Sequence, residues 1–428
     1  MGIFNGVLER PFRWFSPERG RVLYGLDGYP LALSVDLFGR LRVGNIDTIF
    51  DSKQVSIAVP EMLFANKSTG TATGAYDVTG SCYTMTVSAI GDEYIRQTRR
   101  YFNYQPSKCL LTHQTFAPRW QPGTTIEIGY NDANNGIFYR INDSGIWLVL
   151  RSDTTGSVVD NTVHQSDWNR DPLDGRGPSG ITIDRTKGAI LFSALAWLGL
   201  GDGAIGFQYG NSHVICHQFG HANALDRVYM RTPDLPMRVR IYADSTPAVP
   251  AEVDFICCSV GSEGGSNPQG VPRGDRSLAT TCDPNVPTEL MSGRLYGSPV
   301  NNHATVYPTG ITLKNASNAD GIVYICYDPT FSGGSATWRS PIGINTTSRA
   351  QVTDGGRTVT VTPSLGNLGH VLYTNEFGPK SSATINLGRL IALGTDVDGI
   401  PDEISIIAVN TGGAAIDVDC FVNWVELL

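Results

Sequence analysis

The chain has 428 residues with 48 Gly and 24 Pro, is 41% apolar and only 17% charged, and carries a net charge of −8. That composition excludes a disordered polyelectrolyte, a coiled coil and, with no three-residue glycine period, collagen. No run of about 18 apolar residues suggests a membrane helix, and no dense basic run offers phosphates a counter-charge, so neither membrane insertion nor nucleic-acid binding is expected.

Residues 1–58 read as an extended N-terminal anchoring arm. Phe4, Phe12, Trp14, Phe15, Tyr24 and Tyr29 fall in its first thirty positions among turn formers, with no helix or strand period. Such a segment cannot bury its rings alone, so it is expected to dock on another subunit or protein. Arg10 and Arg13 lie in Met1–Phe15 without an apolar stretch, so this start does not read as a secretory signal.

Residues 59–260 read as a strand-rich domain. Tyr83–Val87 alternates apolar and polar residues. Thr125–Tyr130, the polar tip Asn131–Gly136 and Ile137–Ile141 predict a hairpin, with Asn135-Gly136 supplying the positive φ that such turns need. Residues 261–285, opening on Gly261–Gly270, read as a loop or linker. Residues 286–428 read as a second strand-rich domain, with alternation over Thr358–Thr362 and Ile416–Val422. No stretch shows a capped helical stripe. The expected fold is all-β: two β-sandwich or jelly-roll-like domains behind the arm.

Few strings could carry chemistry. His213, His217 and His221 would share a helix face, but their β-branched and Gly neighbours predict a strand. Odd positions then line one face, too widely spaced for three ligands on one ion. The Asp396–Glu403 run is the one metal-like string, with Asp396, Asp398 and Asp402 as candidate calcium ligands and an Asp-rich turn as the competing reading. Asp167, Asp171 and Asp174 lie in a Gly/Pro-rich loop, where two facing carboxylates of a glycosidase are not implied. Arg273-Gly274-Asp275 reads as a chance tripeptide. No catalytic residue and no cofactor site is assigned.

The eight cysteines (Cys82, Cys109, Cys216, Cys257, Cys258, Cys282, Cys326 and Cys420) form no C-x-x-C pair and read as free thiols. Of the 32 cations, 26 are Arg and 6 are Lys, a balance suited to subunit interfaces.

Several strings resemble tailed-bacteriophage minor structural and fibre-type virion proteins. They are Arg40–Val43 with Thr48–Gln54, Ile95–Pro106, Gln165–Gly180, Trp197–Gly201, Ser262–Gly265 and the ending Asn410–Glu426. The resemblance runs from about residue 40 to the end. It implies a virion component rather than an enzyme; the free thiols fit a chain made in the reducing host cytoplasm, and the aromatic arm is expected to join it to other virion proteins. It also implies three-fold symmetry, hence a homotrimer. A receptor- or glycan-binding role of the virion, toward a host surface glycan, is the alternative.

Overall fold

The computed structural model describes residues 46–55, 62–210, 212–266, 269–296, 303–341, 348–359, 368–388 and 391–427, with the backbone of 22–24 and 30–32. Apart from one short 3-10 turn at Gln165–Asp167, the regular elements are strands, so the chain is all-β. No helix among the described residues is long and apolar enough to cross a membrane.

Two large sheets make the first sandwich. The seven-stranded sheet runs, edge to edge, Val159–His164, Gly145–Ser152, Gly136–Asn142, Thr124–Asn131, Met237–Ala243, Glu93–Thr98 and Phe64–Thr69. The eight-stranded sheet runs Ser212–Phe219, Gly203–Tyr209, Ala189–Leu195, Cys109–Arg119, Ala251–Glu263, Cys82–Val87 and Thr73–Asp77, with Ile46–Lys53 also on Ala251–Glu263. Alternate residues point inward from each, as a strand's two-residue period requires. Ile126, Ile128 and Tyr130 from one sheet share a core with Phe116, Phe207 and Phe255 from the other. Each such side chain, taken wholly from water, contributes about 1.5–3 kcal/mol.

The second sandwich pairs a four-stranded sheet (Val271–Cys282, Ile416–Leu427, Thr305–Asn315, Ser382–Asn386) with a five-stranded one (Ala350–Val352, Thr288–Leu295, Glu403–Asn410, Gly321–Tyr327, His370–Phe377). Its core is separate and centres on Leu290, Val306, Ile325, Ile406, Val418 and Trp424. The predicted hairpin forms between Thr124–Asn131 and Gly136–Asn142, with Gly136 at φ +149°. Of the alternating run Thr358–Thr362 only the first two residues are described, and Thr358 makes isolated bridges to Thr288 and Gly333.

At two places the structure differs from the reading by composition. Ile46–Lys53, assigned to the arm, is a strand along Ala251–Glu263. Gly261, assigned to the linker, lies inside that pairing, where the register shifts. A Cβ there would meet Ile46 Cγ2 at 2.5 Å, so this glycine allows a close approach and does not break the strand. Val271–Cys282, also read as linker, pairs with Ile416–Leu427. It is an edge strand, which is where Pro272 is tolerated. Phe4, Phe12, Trp14, Phe15 and Tyr29 lie outside the described residues. Of Tyr24 only the backbone is described, in the short ladder of Val22–Tyr24 with Pro30–Ala32.

Direct bonds join the two sandwiches along a seam. Thr305 Oγ1 donates to the Tyr101 carbonyl at 2.9 Å, and His303 Nδ1 bonds the Asp234 carbonyl oxygen at 2.9 Å. Thr395 N donates to the Arg99 carbonyl at 3.1 Å.

Candidate functional site

The outer face of the seven-stranded sheet carries a polar and aromatic stripe set by strand register. Trp147 pairs with His164, Arg140 with Trp147, Glu127 with Arg140, and Arg240 with Glu127. Five side chains from five strands therefore stand in one row, on the face opposite Ile126, Ile128 and Ile241. The Trp147 and His164 rings meet edge to face at 4.8 Å, and Trp147 Nε1 donates to Asn142 Oδ1 at 3.2 Å.

Glu127 is buried at the centre of the row. Its Oε1 accepts from Arg140 Nε at 2.8 Å and Nη2 at 2.6 Å, and its Oε2 accepts from Arg240 Nη1 at 3.2 Å. Arg140 and Arg151 also bind Asp160, at 2.6 and 2.8 Å, and Arg240 binds Glu93 at 2.6 Å. Under them lies Phe138, with the Arg151 and Arg140 guanidinium carbons 4.9 and 5.3 Å from its ring centre. Arg238 stands in the next row and bonds Gln97 Oε1 at 2.8 Å. Four arginines thus face four carboxylates, with Asp132 acting on Arg238.

The electrostatics favour the charged forms of Asp160, Arg140 and Arg240. Burial opposes the charge of Asp160, but hydrogen bonds from Arg151 and Arg140 outweigh it and hold the carboxyl below its ordinary value. Burial likewise opposes the charge of Arg140 and Arg240, and Glu127 together with Asp160 for the first and with Glu93 for the second outweighs it. The result is a rigid array of planar donors beside half-buried aromatic rings, Trp147 and Tyr242 among them. Sugars offer a C–H face to such rings and vicinal hydroxyls to such forks.

The residues singled out from sequence lie elsewhere. Along Ser212–Phe219 the register shifts at Cys216: Ile215 opposes Gly206, and His217 opposes Ile205. The expectation that odd positions share one face is corrected by this bulge, which turns His217 to the side of the core residue Ile205. His213 stays exposed with its Nε2 2.7 Å from His113 Nε2, while His217 Nδ1 accepts from Asn169 N at 3.2 Å. His221 lies past the strand and stacks on Tyr229 at 3.9 Å. Three histidines therefore meet three different surroundings.

The candidate calcium ligands do not converge. Asp396 Oδ1 accepts from the backbone N–H groups of Asp398 and Ile400 at 2.9 and 2.8 Å, which is the Asp-turn geometry. Asp398 pairs with Lys67, and Asp402 with Arg99 at 2.6 Å. Asp171 is buried and caps its own loop by accepting from Leu173 N and Ser179 N. Asp275 of the Arg-Gly-Asp string is buried in a strand against Arg339 at 2.6 Å.

The sequence reading missed the stripe itself. Its faint signal was charge at alternate strand positions, in Glu127 and Arg140 beside the hairpin tip and in Arg238-Val239-Arg240.

No protein-family model matches the chain, and no curated protein matches it. Among solved structures it is similar to a glycosyl hydrolase family protein from Mycobacterium fortuitum, at 8% identity and a TM-score of 0.34, covering 50% of this chain and 99% of that one. It is similar to the Emp47p carbohydrate recognition domain at 8% identity and a TM-score of 0.33, covering 50% of this chain and 96% of that one. The values for peanut lectin are 9% and 0.32, covering 51% and 100%.

Proposed function

We propose that the chain is a glycan-binding protein of a tailed-phage particle, and that the first sandwich holds the sugar across the outer stripe of its seven-stranded sheet. The row His164–Trp147–Arg140–Glu127–Arg240 carries this reading. It joins a half-buried indole to preorganised donors on the face opposite the sandwich core. Binding fits the row better than catalysis does. Both oxygens of Glu127 accept hydrogen bonds from arginines, so neither is turned toward a reacting atom.

The virion setting rests on the sequence resemblance. In that setting the arm, with Phe4, Phe12, Trp14, Phe15, Tyr24 and Tyr29, would anchor the chain to other virion proteins, and a homotrimer would present three stripes. The half-exposed Val159, which opens the outermost strand of the seven-stranded sheet, and Val158 just before it favour such assembly, since an uncovered apolar edge invites pairing.

A glycan array probed with the purified chain, followed by calorimetric titration of the best binder, tests the reading. Trp147→Ala and Arg140→Ala should each abolish measurable binding while the far-ultraviolet spectrum is kept. Retention of full affinity by Trp147→Ala would remove the stripe from consideration. For assembly, light scattering should give three times the 46.2 kDa chain mass.

A further inference from the structure

Arg100 stands at the seam, two residues past the strand Glu93–Thr98. Its guanidinium lies between two rings, 5.3 Å from Phe102 of the first sandwich and 5.3 Å from Tyr307 of the second. Nη1 donates to the Ile49 carbonyl at 3.3 Å. Nε is buried and donates to nothing. Its electrostatic neighbours that favour charge are the phenols of Tyr307 and Tyr130, with no carboxylate among them. The preceding residue, Arg99, has Asp402 at 2.6 Å. A guanidinium stays protonated at any ordinary pH, so burying one with a single carbonyl partner costs free energy that a counter-anion would recover.

Space for such an anion adjoins the group. Two cavities share Ile49, Arg100 and Tyr307 in their walls, one of about 210 Å³ and one of about 360 Å³. The smaller is completed by Asn103, Gln105, Ser266 and Leu427. Together they are of the size that small-molecule sites have. The polar lining of the smaller cavity is neutral apart from Arg100 (two amides, a serine and a phenol), while the larger adds Asp51 and Arg99. The set in the smaller cavity suits a ligand with one carboxylate for the guanidinium and several hydroxyls for the rest.

We propose that the seam around Arg100 is a binding site for a small sugar acid, whose carboxylate the guanidinium takes and whose hydroxyls face Asn103, Gln105 and Ser266. The site is separate from the stripe and does not depend on it. Because its walls come from both sandwiches, occupancy also ties the two together.

Glucuronate titrated into the full chain, read by calorimetry and by the shift in melting temperature, is the test. Glucuronate should bind and raise the melting temperature, while glucose at equal concentration should not. Arg100→Gln should weaken glucuronate at least about tenfold, the loss expected for one charged hydrogen-bonded contact. Ser266→Trp, which fills the smaller cavity and leaves the Arg100 side chain unaltered, should weaken it equally and carries the test if Arg100→Gln fails to fold. Trp147→Ala should leave glucuronate binding unchanged, so failure of the stripe and failure of this site are told apart. Unchanged affinity in Arg100→Gln and Ser266→Trp, or equal binding of inorganic phosphate and glucuronate, would overturn the assignment.

Discussion

Arg99 Nη1 donates to Asp402 Oδ1 at 2.6 Å across the seam, joining the end of a first-sandwich strand to the turn that leads into Glu403–Asn410 of the second. Asp402 is 2% exposed, so its charge depends on this partner. Removing one member of a buried pair leaves the other uncompensated, at a cost of about 3–5 kcal/mol. Asp402→Ala should therefore lower the urea midpoint and split unfolding into two steps. The measurement belongs at pH 7.5, because burial pushes the Asp402 carboxyl up to about 6 and it is ionised there. One cooperative transition at the wild-type midpoint would show that the pair does not couple the sandwiches.

Asp234 gives the seam a pH dependence of known sign. Burial pushes its carboxyl up to about 7, although Tyr104 N and Asn103 Nδ2 donate to it. The ordinary value of 3.8 applies in the unfolded chain. The folded state then holds a proton that the unfolded state releases, so stability rises as pH falls through 7 toward 4 and is lost above 7. Melting temperatures taken at pH 8, 7, 6 and 5 should show that rise in the wild type, and Asp234→Asn should flatten it. Parallel profiles for the two proteins would rule Asp234 out as the source.

The all-β class and the hairpin at Asn135-Gly136 were legible because a strand's period and a turn's φ are local properties. The stripe was not, because it exists only through register. Glu127 meets Arg240 across a separation in sequence that no local pattern encodes. The bulge at Cys216 was hidden for a related reason: one unpaired residue leaves composition unchanged yet turns His217 to the other face. Gly261 misled because glycine usually punctuates chains. Here it is a close-approach glycine, and the stretch read as linker after Gly270 is an edge strand.

The second sandwich has a buried charge centre that no sequence pattern announced. Glu289 is 0% exposed and accepts from Arg357 Nε and Nη2, both at 2.8 Å, and from Ser292 and Thr353 hydroxyls at 2.6 Å. Burial opposes its charge, but the hydrogen bonds hold its carboxyl below the ordinary value. Arg357→Met should destabilise by about 3–5 kcal/mol, whereas adding Glu289→Gln should recover a substantial part of that loss. Equilibrium urea unfolding of the single and double variants measures both. A single variant within 1 kcal/mol of wild type, roughly the scale of an exposed pair, would contradict the assignment.

The eight cysteines are free thiols, six of them buried. Cys109 and Cys257 are the partly exposed pair. Burial, with help from Glu263, pushes the Cys109 thiol up to about 12, which leaves little thiolate at pH 8. A thiol reagent applied to the native protein at pH 8 should therefore label Cys257 first, with Cys109 and the buried six protected. In denaturant, without prior reduction, all eight should react. Mass mapping of each labelled peptide checks the order, and native labelling of Cys258 or Cys420 ahead of Cys257 would contradict it.

The last prediction tests how closely the stripe depends on the strands beneath it. Gly129 lies opposite Phe138 on one side and Arg238 on the other. A Cβ there would meet the Ile137 carbonyl oxygen and the Cα and Cβ of Phe138, all at 2.6 Å. Two of those three atoms are backbone, so relief requires the strand to move. Overpacking of this kind costs about 1–3 kcal/mol. It would also displace Phe138, the ring on which the Arg151 and Arg140 guanidinium groups rest. Gly129→Ala should thus lose stability by that amount in urea and lose glycan affinity even where it remains fully folded. Gly293→Ala is the matched control, since a Cβ at that strand position meets nothing within 4 Å, and it should be neutral or slightly stabilising. If Gly129→Ala unfolds at the wild-type midpoint and binds as the wild type does, the arginine array does not depend on the close approach of these two strands.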